Sequence, residues 1–157
     1  MMKLRRNIRL YLLLVFLSQL IACNQLGIKK PAEEKSDQDL FEIQNRAETA
    51  YLNDDLVNSE KDYLVLIEEL PEVAMHWFRL ANIYVRTNRP VAAINLYREA
   101  VLRDPTYSKA WFNLSIVQLK QTAYSLNEML IYVDKSDPMY DRAKKLLEGI
   151  QAVVNQE

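Results

Sequence analysis

The chain has 157 residues, with 20 basic and 21 acidic side chains, one cysteine and one histidine. Residues 1–22 form a predicted signal. The remaining residues, 23–157, contain 16 basic and 21 acidic side chains, a net charge of −5. This excess of acid excludes a nonspecific nucleic-acid binder and a polybasic membrane-surface patch. A lone cysteine excludes a disulfide within the chain, and the part that follows the predicted signal is long enough for one domain with an ample core.

The first 22 residues have the layout of a secretion signal. The first nine carry four basic residues and no acid, and a mostly apolar run follows at residues 10–22. That run is too short for a comfortable membrane span. It ends in Leu20-Ile21-Ala22-Cys23, which resembles the lipobox of bacterial lipoproteins. The resemblance implies cleavage before Cys23, a diacylglycerol on its thiol and a further acyl chain, such as palmitate, on the new amino group.

Two alternatives to a lipid anchor stay open here, namely an ordinary signal peptide with an incidental cysteine and an uncleaved anchor. Two or three acyl chains on Cys23 would bind a membrane stably, because each buried methylene contributes about 0.8 kcal/mol. In enteric-type bacteria an aspartate after the cysteine tends to retain a lipoprotein in the inner membrane. Asn24 stands there, so we expect the outer membrane, with the domain in the periplasm. Residues 23–36 are polar, contain Gly27 and Pro31, and predict a flexible tether.

Residues 37–157 show helical periodicity and predict an all-α domain. The segment 74–107 contains two amphipathic stripes separated by Asn88-Arg89-Pro90, which predicts a helical hairpin with Pro90 in the first turn of its second helix. Ser36 with Asp39, and Ser125 with Glu128, predict two capping boxes. The other helices are predicted at residues 37–52, 56–70, 108–121, 125–135 and 139–154.

The predicted hairpin at 74–107 carries a specific pattern of large and small residues. The pattern consists of Trp77, Leu80, Ala81, Tyr84, Ala93, Tyr97, Ala100 and Pro105. It closely resembles a tetratricopeptide repeat (TPR), whose period is about 34 residues. Matching residues lie one period upstream at Ala47, Tyr63 and Pro71, and one period downstream at Trp111 and Leu114. The alternative is a generic helical hairpin with coincidental spacing.

The resemblance implies a short TPR solenoid of antiparallel helical hairpins. Its repeats would occupy residues 40–73, 74–107 and 108–138, and a helix at 139–154 would cap the end with one apolar and one wet face. The third repeat has a good first helix and a degenerate second one, because Asn127 and Asp134 stand where small residues belong. A solenoid of so few units is marginal, which leaves a dimer through an exposed end open.

The sequence contains no recognisable constellation of catalytic or metal-binding residues. His76 has no Ser or Cys nucleophile motif beside it, and HExxH, CxxC, glycine-rich phosphate loops and GxSxG are absent. Acidic residues on helix faces, namely Glu48, Glu60, Glu68 and Glu69, are expected to be solvated. The sequence therefore predicts a protein that is not an enzyme and holds no cofactor or metal.

In the TPR family, the first helices of successive repeats line a concave groove. Carried over by register, the peptide-binding residues would be Met75, Phe78, Arg79, Asn82, Arg86, Lys109, Phe112, Asn113 and Ile116, with Val85, Leu119 and Lys120 on the same face. Such an apolar floor with basic and amide groups suits an extended or helical peptide whose carboxylates pair with arginine.

Two features of this groove are ambiguous in the sequence. Phe78 and Phe112 are either ligand anchors or core residues, because aromatic stripes are usually core. Asn82 and Asn113 match two places of the family's carboxylate clamp, but Phe78 stands where the first lysine of that clamp belongs. A clamp for a chaperone tail is therefore doubtful on the sequence.

A lipobox followed by a short TPR array resembles the pilotins and assembly lipoproteins of type IV and tight-adherence pili, and the lipoproteins of outer-membrane assembly machines. The resemblance implies a membrane-anchored scaffold that binds a segment of a secretin or another envelope subunit. The alternative is an adaptor that recruits or regulates periplasmic cell-wall enzymes. Neither function involves a nucleic acid.

Overall fold

A computed structural model describes residues 35–155. This part of the chain is all-α, as the sequence predicts, and has no strand. The predicted signal, Cys23 and nearly all of the predicted tether lie outside the described residues. The helices are α1 (Asp37–Leu52), α2 (Leu56–Glu69), α3 (Ala74–Arg86), α4 (Pro90–Arg103), α5 (Ser108–Tyr132) and α6 (Pro138–Val154).

Local sequence signals set the ends of the first four helices. The capping box at α1 is confirmed, since the Asp39 amide donates to Ser36 Oγ at 3.2 Å and the Ser36 amide donates to Asp39 Oδ2 at 3.1 Å. Pro90 occupies the first turn of α4 as predicted. Asp54 and Asn88 adopt positive φ angles of 62° and 58° in the turns after α1 and α3, a conformation that Asp and Asn tolerate better than most residues.

Helices α1 and α2 pack as one hairpin, α3 and α4 pack as a second, and neighbouring hairpins share two hydrophobic clusters. The first cluster joins α1, α2 and α3 and contains Ala47, Tyr63, Leu66, Leu80 and Ile83. The second joins α3, α4 and α5 and contains Phe78, Ala81, Ala93, Tyr97, Ala100, Val101, Ala110, Leu114 and Val117. The alanines let the helix backbones approach closely, which explains why they recur in the pattern.

Equivalent side chains make equivalent contacts one period apart. Trp77 Nε1 donates to the Pro71 carbonyl at 2.8 Å, and Trp111 Nε1 donates to the Pro105 carbonyl at 3.0 Å. Tyr63 and Tyr97, which are separated by the same period, are both fully buried. The 34-residue period of the sequence pattern is therefore also the period at which side-chain contacts repeat in the structure.

The prediction of two helices at 108–121 and 125–135 is wrong, because α5 runs without a break from Ser108 to Tyr132. No glycine or proline interrupts this stretch. Ser125 does not cap a helix with Glu128. Its hydroxyl donates to the Gln121 carbonyl at 3.1 Å, and Thr122 bonds to the Gln118 carbonyl in the same way at 2.9 Å. Such bonds to the preceding turn keep polar residues inside a helix.

The last helix packs against α5 through one face. Helix α6 begins at Pro138, one residue before its predicted start, and buries Ala143, Leu147 and Ile150. Leu146, which follows the same helical spacing from Ala143 and Ile150, is 54% exposed. Within residues 35–155, no helix has the length and apolar character needed to cross a membrane.

Candidate peptide-binding groove

Helices α1, α3, α4 and α5 enclose a pocket of about 310 Å³. Four of the predicted groove residues lie together on its wall, namely Asn82, Arg86, Asn113 and Ile116, and Val85 and Lys120 of the same predicted face join them. Three further residues complete the wall: Tyr51, Tyr97 and Val117. The other predicted residues do not line the pocket.

An amide network forms one side of the pocket. The Tyr97 hydroxyl donates to Asn82 Oδ1 at 2.6 Å, and Asn113 Nδ2 donates to the same oxygen at 3.0 Å. Burial raises the pKa of Tyr97 to about 12, so the phenol stays protonated as the donor. The Asn82 NH₂ group and the Asn113 carbonyl bond to no other side chain or backbone group among the described residues. They remain available as a donor and an acceptor for a ligand.

The groove arginines are already paired within the protein. Arg79 donates to Glu48 Oε1 at 2.6 Å, and Arg86 forms an ion pair with Asp54. Both guanidinium groups lie over the ring of Tyr51, with their central carbons 4.8 and 5.2 Å from its centroid. A partner carboxylate would therefore have to compete with acids of the first hairpin for these arginines, and their role in binding stays a prediction.

Four acids were predicted to be solvated, and for Glu48 and Glu60 this is wrong, because both are paired within the protein. Glu48 accepts from Arg79 and also from the Tyr63 hydroxyl at 2.7 Å. Glu60 binds Arg89 through two bonds of 2.7 and 2.5 Å, and the Arg89 guanidinium lowers the pKa of Glu60. The Glu48–Arg79 and Glu60–Arg89 contacts fasten the first hairpin to the second.

Phe78 is a core residue, which decides the first ambiguity of the sequence. Phe78 is 7% exposed, and its ring lies 4.9 Å from the ring of Tyr107 and 5.9 Å from that of Tyr97, centroid to centroid. The prediction that Phe78 lines a ligand groove is therefore wrong. Phe112, in the same register one repeat later, is 57% exposed. Met75 is half-buried and Lys109 is exposed.

Tyr51, Tyr97 and Val117 are the pocket residues that the sequence reasoning missed, and it also missed Glu48 as the partner of Arg79. Tyr51 and Glu48 lie one repeat period before Val85 and Asn82, which were both assigned to the groove. The same register, applied to α1, finds them. Tyr97 was assigned only to the packing pattern, and no sequence signal shows that its hydroxyl reaches the pocket.

His76 is buried in the protein rather than displayed in a site. It is 1% exposed, neither ring nitrogen has a hydrogen-bond partner in the part of the chain that the structure describes, and its ring lies 6.2 Å from that of Tyr63. Burial lowers the pKa of His76, so the ring is neutral. Residues 35–155 contain no group of three His, Cys, Asp or Glu side chains that would hold a metal ion.

Comparison with protein families agrees with this geometry. Residues 75–117 match the family described as Tetratricopeptide repeat, and the matched stretch spans α3, α4 and the first part of α5, which form most of the pocket. No curated protein matches the chain. The chain therefore contains a TPR and folds as an all-α, TPR-like helical repeat. TPRs are protein-interaction modules, so the general function indicated is the binding of a protein or peptide.

Proposed function

We propose that this protein is a lipid-anchored scaffold of the bacterial envelope that holds a peptide segment of an assembly subunit in the groove between α1, α3 and α5. A pilus subunit, a secretin or an outer-membrane assembly component is the expected partner. The interaction role is supported by the TPR match and by the pocket. The envelope role is supported by the lipobox at residues 20–23 and by the signal-like residues before it.

The amide network is the observation that carries peptide binding. The free Asn82 donor and Asn113 acceptor match the C=O and N–H of a main-chain amide, which every extended peptide presents. A pocket of about 310 Å³ is near the lower limit for small-molecule sites, and it accommodates a side chain or two beside such a backbone.

Lys120 sets the charge preference of the groove. It is exposed at the pocket wall and forms no ion pair within residues 35–155, in contrast to Arg79 and Arg86. An acidic side chain of the peptide would pair with Lys120 without displacing an internal contact. The groove therefore favours a peptide with an acidic residue next to an apolar one, since Ile116 and Val117 supply the apolar floor.

The anchor positions this groove near the membrane. The tether that the sequence predicts at residues 23–36 would have an end-to-end distance of about 20 Å. Lipidated Cys23 would hold the domain within that reach of the outer membrane, on its periplasmic side. A subunit bound in the groove would then be concentrated at the membrane where it assembles.

A crosslinked pull-down from detergent-solubilised envelope tests the groove. The variant combines Asn113→Ala with Lys120→Glu, and the matched control carries Arg98→Glu on the exposed side of α4. Wild type and control are expected to capture the same pilus, secretin or outer-membrane assembly component, and the groove variant is expected to lose it. Retention by the groove variant would refute the groove. Capture of a cell-wall enzyme in its place would favour the adaptor function.

The anchor needs its own test, because it rests on residues outside those that the structure describes. Wild type and Cys23→Ser are grown with an alkyne analogue of palmitate, and the label on the purified chain is measured. Label on the wild type alone supports the anchor. An unlabelled wild type, or equal label on both chains, contradicts it.

A further inference from the structure

Helix α5 extends well beyond the second hairpin. It has 25 residues, whereas α3 and α4 have 13 and 14. The buried residues of α5 all come before Gln118, namely Ala110, Leu114, Ile116 and Val117. The rest of the helix, from Gln118 to Tyr132, therefore lies beyond the core cluster that joins α3, α4 and α5, and it is about 20 Å long. We call this part the α5 extension.

Helix α6 covers one face of the α5 extension. Leu126 and Met129 line a cavity of about 220 Å³ together with residues of α6. Tyr124 lies two positions before Leu126, and Ile131 lies two positions after Met129, which places each about 200° around the helix. That face is uncovered in the part of the chain that the structure describes, because Tyr124 and Ile131 are 63% and 69% exposed. Apolar residues on two faces are typical of a helix that packs between two neighbours.

The uncovered face carries a regular spacing of side chains, which we call the seam. Its members follow one another at alternating intervals of three and four residues, namely Val117, Lys120, Tyr124, Asn127 and Ile131. This is the spacing by which two helices stay in contact along their length. The backbone groups of α5 are bonded within the helix, so this face offers no free edge to an added β-strand. A second helix is therefore the element that fits the seam.

The seam is complementary to itself in the antiparallel direction. When two copies of α5 lie antiparallel with Tyr124 next to Tyr124, each residue stands level with the one equally far on the other side of Tyr124. Val117 is then level with Ile131 of the second copy, and both are apolar. Lys120 is level with Glu128 of the second copy, and the two have opposite charge.

The two charged residues are available for this pairing. Lys120 is exposed and Glu128 is half-buried beside the seam. Neither forms an ion pair with another residue in the range 35–155. Because of the symmetry, an antiparallel contact contains the Lys120–Glu128 pair twice. A parallel contact in register would set Lys120 against Lys120 and Glu128 against Glu128, so the charges favour the antiparallel one.

We propose that two copies of this protein pair through their α5 extensions, as an antiparallel and twofold-symmetric pair of helices centred on Tyr124. The same surface serves in both copies, so the contact closes at a dimer. The two second hairpins lie at opposite ends of the helix pair, because each hairpin packs against the start of its own α5. Ile131 of one copy then reaches Val117 of the other, which lines the pocket, so each copy adds a residue to the rim of the other's groove.

The pairing needs no peptide partner and is therefore independent of the proposed function. The two meet only at Lys120, which lines the pocket and belongs to the seam. An acidic residue of a bound peptide would compete with Glu128 of the second copy for Lys120. Peptide binding and pairing are thus expected to oppose each other.

Photo-crosslinking of the full-length chain in its own membrane tests the pairing. Cells produce two forms of the chain with different affinity tags, and a benzophenone amino acid replaces Tyr124 in one of them. The matched control carries the same amino acid in place of Leu102, which is 73% exposed on α4. Product recovered through one tag is examined for the other tag, and mass spectrometry locates the attachment in the second copy.

The residue 124 probe is expected to give a product that carries both tags and is attached within about one helical turn of Tyr124 in the second copy. The residue 102 probe should give none. Lys120→Glu or Glu128→Lys should each reduce the product at least about fivefold, because two ion pairs become two repulsions. The two substitutions together should restore the product, since each copy then offers the reversed pair. Restoration also shows that the single variants did not fail by unfolding.

Four results would overturn the proposal. Absence of a doubly tagged product, or equal product from residue 102, shows that the copies do not pair at the seam. Attachment outside α5 shows that the contact lies elsewhere. A loss that the double substitution does not restore shows that Lys120 and Glu128 do not meet. Capture of another envelope protein in place of the second copy shows that the seam continues the peptide groove. Asn113 lies outside the seam, so the effect of Asn113→Ala on the captured subunit still decides the proposed function separately.

Discussion

Glu48 joins the two hairpins, and its removal should destabilise the fold measurably. Its carboxylate accepts from the hydroxyl of fully buried Tyr63 at 2.7 Å and from Arg79 at 2.6 Å. In Glu48→Ala the buried hydroxyl loses its partner, which costs about 1–3 kcal/mol. The ion pair adds at most about 1 kcal/mol, because its side chains are 27% and 34% exposed and solvent screens them. We expect a total loss of about 1–4 kcal/mol in the free energy of unfolding.

Urea denaturation followed by circular dichroism measures this loss. Glu48→Gln keeps an acceptor for Tyr63 and should lose only about 1 kcal/mol, the contribution of a charged hydrogen bond over a neutral one. The matched control is Glu68→Ala, because Glu68 is exposed and forms no ion pair in the described region. It should change stability by less than about 0.5 kcal/mol. If Glu48→Ala is as stable as Glu68→Ala, the argument that this carboxylate fastens the hairpins is refuted.

Three further predictions concern single residues. His76 has a lowered pKa when folded, so the unfolded chain binds more protons below its own pKa near 6.5, and the free energy of unfolding should fall as pH drops from 7 to 5. His76→Leu should flatten that slope in the same titration, and an unchanged slope would contradict the assignment. Ser36→Ala should lower the melting temperature through the loss of a cap worth about 1 kcal/mol, whereas Ser125→Ala should not, and equal losses would indicate that Ser125 caps a helix after all. Tyr97→Phe leaves Asn82 Oδ1 with one donor and should lower the free energy of unfolding, measured by urea denaturation, by about 1 kcal/mol. An unchanged free energy of unfolding would show that the Tyr97 hydroxyl does not stabilise the amide network.

The helices of the first two hairpins are predictable because their signals are local. The Ser36 cap, the turn after Leu52 and the position of Pro90 each act within a few residues, and the structure places the helix ends accordingly. The long α5 is the exception. The repeat period predicts a turn near residue 123, but no glycine or proline enforces one, and the polar residues there bond back to the preceding turn.

The groove is only partly predictable from the sequence. The repeat register shows which face of a helix a residue occupies, but it does not show which side chain that residue contacts. The register brings Asn82 and Asn113 to one pocket. It cannot show that Arg79 is paired with Glu48, since that contact joins residues 31 positions apart in sequence. It also cannot separate core from ligand for an aromatic residue. Phe78 and Phe112 share one register, yet one is buried by the next helix and the other is exposed at the last repeat.

Photo-crosslinking in living cells tests the central claim most directly, because it reads the groove in the intact envelope. A benzophenone amino acid replaces Lys120 at the pocket wall or, as the control, Arg98 on the exposed side of α4. The account predicts that the residue 120 probe captures a segment of a pilus, secretin or outer-membrane assembly subunit, and that Asn113→Ala reduces this product. The same products from residue 98, or no envelope protein from residue 120, would contradict it.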